Sequence, residues 1–169
     1  VGATEFDKET EEIWVISAGG SLFKGHLSGN NWEVINQDLV FEGNLLRFIP
    51  TNEGRRLIAE IEKIIHYSDD EGVSWKVSSG LETFDNNWGS RKDKVVLNDS
   101  LNTILLLVQE WLPGPWKADV GIYMSIDKGQ TFQKTWSFNS GNLDNVTMVE
   151  IAGTNKVAIM EKVAVNTTR

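Results

Sequence analysis

The chain has no cysteine, which excludes a disulfide framework and a thiolate metal site alike. Two histidines, His26 and His66, are too few for most zinc sites. No run of eighteen apolar residues occurs, and the opening VGATEFDKETEE lacks a signal-peptide hydrophobic stretch, so neither membrane insertion nor a leader is expected within the chain. It opens on Val1 and not on Met, which points to a trimmed product. Positive charge is scarce: 16 Lys and Arg stand against 24 Asp and Glu, a net charge of -8, which argues against nucleic acid or an anionic membrane as partner. There is no G-x-S-x-G elbow, no phosphate-cradling G-x-x-x-x-G-K-[ST] and no H-E-x-x-H. SDDEG lacks the spaced oxygen ligands of a calcium loop, and no metal or cofactor is expected.

Helix signals are equally scarce. With 40% apolar residues the 169-residue chain can bury a core, and its apolar segments are short, β-branched or aromatic, and bounded by Gly, Asn, Asp or Ser. They read as strands, among them EIWVIS, SLFKGHL, NWEVI, LLRFIPT, RRLIAEIEK, IIHYS, NTILLLVQEW, VGIYMS and FQKTWSF, joined at turns such as AGG, TNEG and AGTN. One phrase occurs twice, SDDEGVSW from Ser68 and SIDKGQTF from Ser125, 57 positions apart, the period of a repeated four-stranded unit. A worn copy stands in HLSGNNWEVI, with Ser28, Gly29, Asn30 and Trp32. The units run over about 11–38, 42–80 and 93–139, with a half unit at 145–169, and each phrase falls between third and fourth strands.

The phrase has a physical reading. Asp70 and Asp127 can accept bonds from backbone N–H groups ahead of them and from a nearby hydroxyl, stapling the turn. Gly72 and Gly129 supply positive φ, and Trp75 and Phe132 fill the space beneath. These residues, Ser68, Asp70, Gly72 and Trp75 with Ser125, Asp127, Gly129 and Phe132, resemble the Asp-box or BNR repeat, S-x-D-x-G-x-T-W. The resemblance implies an all-β fold, a β-propeller of four-stranded antiparallel blades with about three and a half blades present, in which the boxes are structural. It also implies a secreted, periplasmic or cell-surface protein of sialidase-like or sortilin-like kind. Propellers close with about four to eight blades, so the rest of the ring is expected from further sequence or a second chain.

If boxes occupy one face, ligands belong on the other. There the loop EWLPGPWKAD and the inter-blade segment GLETFDNNWGSRKD bring together Trp88, Arg91, Trp111, Trp116 and Asp119, with Asp85 and Glu110 nearby. Aromatic faces with carboxylates and an Arg suit sugar, so a glycan or protein ligand is expected. The alternative is a fragment of a sialidase-like glycoside hydrolase. LLRFIP is similar to that family's F/Y-R-I-P motif, which makes Arg47 a candidate for gripping a carboxylate, and Asp85 with Glu110 is the one carboxylate pair to nominate. No nucleophile stands out, because Tyr67 and Tyr123 each abut a box. N-x-S/T sequons at Asn98, Asn145 and Asn166 permit glycosylation.

Overall fold

The computed structural model describes residues 3–29, 31–39, 46–51, 54–61, 64–81, 91–98, 103–111, 118–138, 145–151, 154 and 156–162. Among them there is no α-helix. The strands are β1 (Thr4–Asp7), β2 (Glu12–Ile16), β3 (Leu22–His26), β4 (Glu33–Asn36), β5 (Leu46–Thr51), β6 (Gly54–Ile61) and β7 (Ile64–Ser68). There follow β8 (Lys76–Val77), β9 (Arg91–Asn98), β10 (Thr103–Trp111), β11 (Ala118–Ser125), β12 (Gln133–Phe138), β13 (Val146–Ile151) and β14 (Lys156–Glu161). They form three four-stranded antiparallel sheets in simple meander order, β1–β4, β5–β8 and β9–β12, and a two-stranded sheet, β13–β14. Each four-stranded sheet has the strand order of a propeller blade.

The first sheet begins earlier than its residues suggest. TEFD at 4–7 holds one apolar residue and does not read as a strand, yet it pairs with β2 from Thr4↔Val15 to Asp7↔Glu12. The unit expected to start near residue 11 therefore starts at Thr4: backbone pairing to an apolar neighbour recruits a segment whose own pattern is weak.

The chain forms two compact units, residues 1–82 with 128–131, and 83–127 with 132–169. In the first, sheets β1–β4 and β5–β8 bury Trp14, Ile16, Leu22, Leu46, Leu57, Ala59 and Ile61, with Phe48 and Trp75 packed against them. Trp14 meets Phe48 edge to face at 5.6 Å. A charged cluster closes this core: Arg55 binds Asp7 and Glu12 and reaches Glu71 at 3.4 Å, while Lys24 binds Glu12 at 2.9 Å and Glu71 at 3.2 Å. Both cations lie over the Trp14 ring. In the second unit Leu107, Val120, Ile122, Val146 and Met148 form the core. The continuous apolar run in β10 follows from burial on both of its faces, since Ile104, Leu106, Leu107 and Val108 are all 2% exposed or less.

The repeated phrase folds into the same turn twice. Glu71 and Gly72 have φ of 57° and 86°, and Lys128 and Gly129 have 59° and 87°. Asp70 Oδ1 accepts bonds from Ser68 Oγ and the Ser74 N–H, both at 2.8 Å, and Asp70 Oδ2 accepts Ser74 Oγ. Ser68 Oγ accepts the Gly72 N–H at 2.8 Å, and Trp75 Nε1 donates to Gly72 O at 3.0 Å. In the second turn Ser125 Oγ donates to Asp127 at 2.7 Å, and Phe132 is buried. Burial raises the Asp70 pKa, but the bonds from Ser74 and Ser68 outweigh it and hold the carboxyl below its ordinary value.

Each turn is also gripped from outside its own hairpin. Asn36, ending β4, donates Nδ2 to Gly72 O at 3.3 Å and Val73 O at 3.1 Å. Ser78, just beyond β8 and fully buried, donates Oγ to Gly129 O at 2.6 Å, and the Ser79 N–H reaches Gln130 O. The same carbonyl, that of the box glycine, is the acceptor both times.

Candidate functional site

Counting rungs from the box serine shows where the sheets differ. In β6–β7 the ladder runs five rungs, from Leu57↔Ser68 to Ile61↔Ile64. In β10–β11 it runs eight, from Ile104↔Ser125 to Trp111↔Ala118. Both ladders start at the box serine, so the additional rungs, Gln109↔Val120, Glu110↔Asp119 and Trp111↔Ala118, all lie at the far end. At roughly 3.4 Å per residue the hairpin extends about 10 Å farther from its box than its counterpart does. β9 follows it as far as Arg91↔Gln109, and β12 as far as Phe138↔Val120.

Glu110 and Trp111, read both at the end of the strand NTILLLVQEW and in the loop EWLPGPWKAD, and Asp119, read only in that loop, are strand residues, and the connection between the strands is only 112–117. The correction has a simple cause: a ladder between two apolar strands continues past the point where composition alone suggests a turn. Glu110 stands opposite Asp119, Trp111 ends β10, and Arg91 opens β9 beside Gln109. Backbone register thus brings Arg91, Glu110, Trp111 and Asp119 to one end of one sheet. Asp85, Trp88 and Trp116 lie outside the described residues, and the side chains of Arg91, Glu110 and Trp111 do as well.

Asp119 has a partner that the sequence did not suggest. Lys134 Nζ, from β12, binds its Oδ2 and sits 5.8 Å from the centre of the Tyr123 ring. The lysine stem runs over Gly121, where a Cβ would be 2.6 Å from Lys134 Cε. A glycine inside an otherwise apolar strand, VGIYM, is the one signal of that close approach. Lys134 thus fixes Asp119 on the Asp119–Gly121–Tyr123 stripe. Tyr123 itself is buried, and the Tyr67 ring lies under Arg56 at 4.7 Å and Lys76 at 5.6 Å.

Arg47 lies elsewhere, in the first unit, where β5 runs beside β1. Its Nη1 donates to Glu5 Oε2 at 2.9 Å and to Leu46 O at 2.8 Å. Burial raises the Glu5 pKa, and the Arg47 charge and the Phe48 N–H lower it by less, so the carboxyl titrates above its ordinary value. Among the described residues no group of three His, Asp or Glu side chains could hold a metal ion.

No family model matches this chain, and no curated protein does. Among solved structures it is similar to a chain of a nidogen/laminin complex, with 14% identity and a TM-score of 0.49 over 81% of this chain and 48% of that one. It is also similar to a protein of unknown function from Dyadobacter fermentans, with 12% identity and a TM-score of 0.43 over 78% of this chain and 48% of that one. The chain spans about half the length of each.

Proposed function

We propose that the chain is part of an Asp-box β-propeller, secreted, periplasmic or on a cell surface, that binds a glycan or protein ligand without itself catalysing a reaction. The observation that supports the ligand site is the extended end of sheet β9–β12. It carries Trp111, Arg91, Glu110 and the Lys134-anchored Asp119, and Trp116, in the connection between its strands, is proposed to join them. The opposite end of each sheet is a short turn closed by its own hydrogen bonds, a poor place for a concave site. Trp88 and Asp85, in the segment leading into β9, are proposed to flank it. For the hydrolase alternative, Arg47 offers little support, because its guanidinium already binds Glu5.

The test is titration of glycans, first on an array and then by calorimetry, against the wild type and the Trp111→Ala/Trp116→Ala double variant. Loss of a stacking platform should weaken binding roughly tenfold or more while the melting temperature stays within a degree or two. A double variant that melts several degrees lower and binds as before would show these tryptophans to be packing residues.

A further inference from the structure

Within each unit one sheet packs on the next, and in both the earlier sheet uses its back. Let the front of a sheet be the face that carries its box serine. In β5–β8 the front holds Leu57, Ala59, Ile61 and Ser68, because directly opposed residues share a face. In β9–β12 it holds Ile104, Leu106, Val108 and Ser125. Ser68 and Ser125 each stand seven residues before the box aromatic, Trp75 or Phe132, and Gly25 stands seven before Trp32. The front of β1–β4 is therefore the Gly25 face, with Phe6, Ile13, Val15, Phe23 and Val34. The back of β1–β4, with Trp14, Ile16 and Leu22, packs on the front of β5–β8. The back of β9–β12, with Leu105, Leu107, Val120 and Ile122, packs on Val146 and Met148 of β13–β14.

Among the faces not used in these packings, two expose apolar side chains of the described residues. The front of β1–β4 is open: Phe6 is 42%, Val34 45% and Trp32 49% exposed, and Trp32 lies against Gly25. The far face of β13–β14 is open as well, with Val149, Ile151 and Met160 exposed. Glycine contacts report the vacancy independently. At Gly72 a Cβ would collide with Leu22, from the sheet that covers that front, whereas at Gly29, three residues before Trp32 as Gly72 is before Trp75, nothing described lies within 4 Å. Among the described residues the front of β1–β4 thus lacks the neighbour that the front of β5–β8 has.

One open face is a front, and the other is the side of β13–β14 on which a following sheet would pack, as β5–β8 packs on the back of β1–β4. We propose that they bind each other between copies, the far face of β13–β14 in one molecule seating on the front of β1–β4 in a second. The contact is head to tail, so a dimer keeps one free face of each kind and can add further copies. The proposal rests on reading the sheets as blades, but it concerns different residues from the proposed ligand site.

Sedimentation of the wild type over a range of concentrations should give an average mass that at least doubles. Phe6→Glu and Met160→Glu should each remain monomeric, since every copy lacks the same face. Mixed together they should form a dimer and stop there, because each supplies the face the other has lost. Far-UV circular dichroism confirms folding, and Val34→Glu and Val149→Glu replace either variant that fails to fold. A wild type that stays monomeric throughout overturns the proposal and assigns the faces to other sequence, and association that survives both substitutions overturns it too, as does a mixture that remains monomeric. Glycan titration of the Phe6→Glu monomer and of the wild type is a separate readout: if neither binds glycan while the wild type still associates, only the ligand reading falls.

Discussion

The turn at 68–75 and its worn copy at 25–32 sit at equivalent places in adjacent sheets, yet they are held by different means. In the first, one carboxylate gathers Ser68 Oγ, the Ser74 N–H and Ser74 Oγ, and the preceding sheet presses Leu22 against Gly72. In the second there is no aspartate. His26 Nδ1 lies 3.0 Å from Ser28 Oγ and accepts the Ser28 N–H at 3.2 Å, and both groups are solvent-exposed. The difference teaches that the box phrase does two jobs, closing a hairpin and presenting a smooth glycine to a neighbouring sheet. Where no neighbour is present among the described residues, the carboxylate staple is absent too.

Glycine substitution separates the two jobs most sharply. Gly72→Ala meets both a φ of 86° and the Leu22 side chain, and should cost about 2 to 4 kcal/mol, the sum of left-handed strain and overpacking. Gly29→Ala, at a φ of 80° but in open space, should cost only about 1 kcal/mol. Urea unfolding of both variants checks this, and equal losses would remove the distinction.

Next in size is the staple. Asp70→Ala deprives Ser68, Ser74 and one backbone N–H of their acceptor and should destabilise by about 1 to 3 kcal/mol. Ser28→Ala in the worn copy, exposed and locally bonded, should stay within about 0.5 kcal/mol. Thermal melts of the two proteins suffice to compare them.

The two repeated turns were the legible part, because a turn that needs positive φ, a side-chain acceptor and a buried aromatic leaves few residue choices at fixed offsets. The four-stranded units followed from their spacing. β1 was not legible, since TEFD gains its strand character from pairing with β2 and not from its own pattern. The last two rungs of β10–β11 were half hidden for the converse reason: Glu110 and Trp111 end a legible strand, but Ala118 and Asp119 look like loop residues until the ladder holds them. Arg47 reads as free in sequence, and only folding brings Glu5, 42 positions away, to it. The acidic cluster around Arg55 was likewise invisible, its members being drawn from β1, β2, β6 and a box turn.

The grips on the box glycines should matter less than the staples. Ser78→Ala withdraws a fully buried donor from Gly129 O and should cost about 1 to 2 kcal/mol, whereas Asn36→Ala withdraws one from carbonyls that water can reach and should cost about 0.5 to 1 kcal/mol. A larger effect for Asn36 would mean that the grip orients the sheet rather than satisfying a carbonyl.

The smallest effect distinguishes two carboxylates by the sign of their pH dependence. Asp70 is held below its ordinary pKa, so its contribution is present above the unfolded pKa and is lost as pH falls through the folded one. Glu5 is held above its ordinary pKa by burial, so its contribution is present below the unfolded pKa and is lost as pH rises through the folded one. Asp70→Asn should therefore match the wild type in acid and fall behind it at neutral pH. Glu5→Gln should match it in acid and become the more stable protein as pH rises. The gain should stay below about 1 kcal/mol, because the Glu5–Arg47 pair is partly open to solvent and screened by it. Denaturation curves at several pH values between acid and neutral give both slopes. If Glu5→Gln instead loses stability as pH rises, the Arg47 attraction outweighs burial, and Glu5 belongs with Asp70 among the carboxylates that the fold prefers charged.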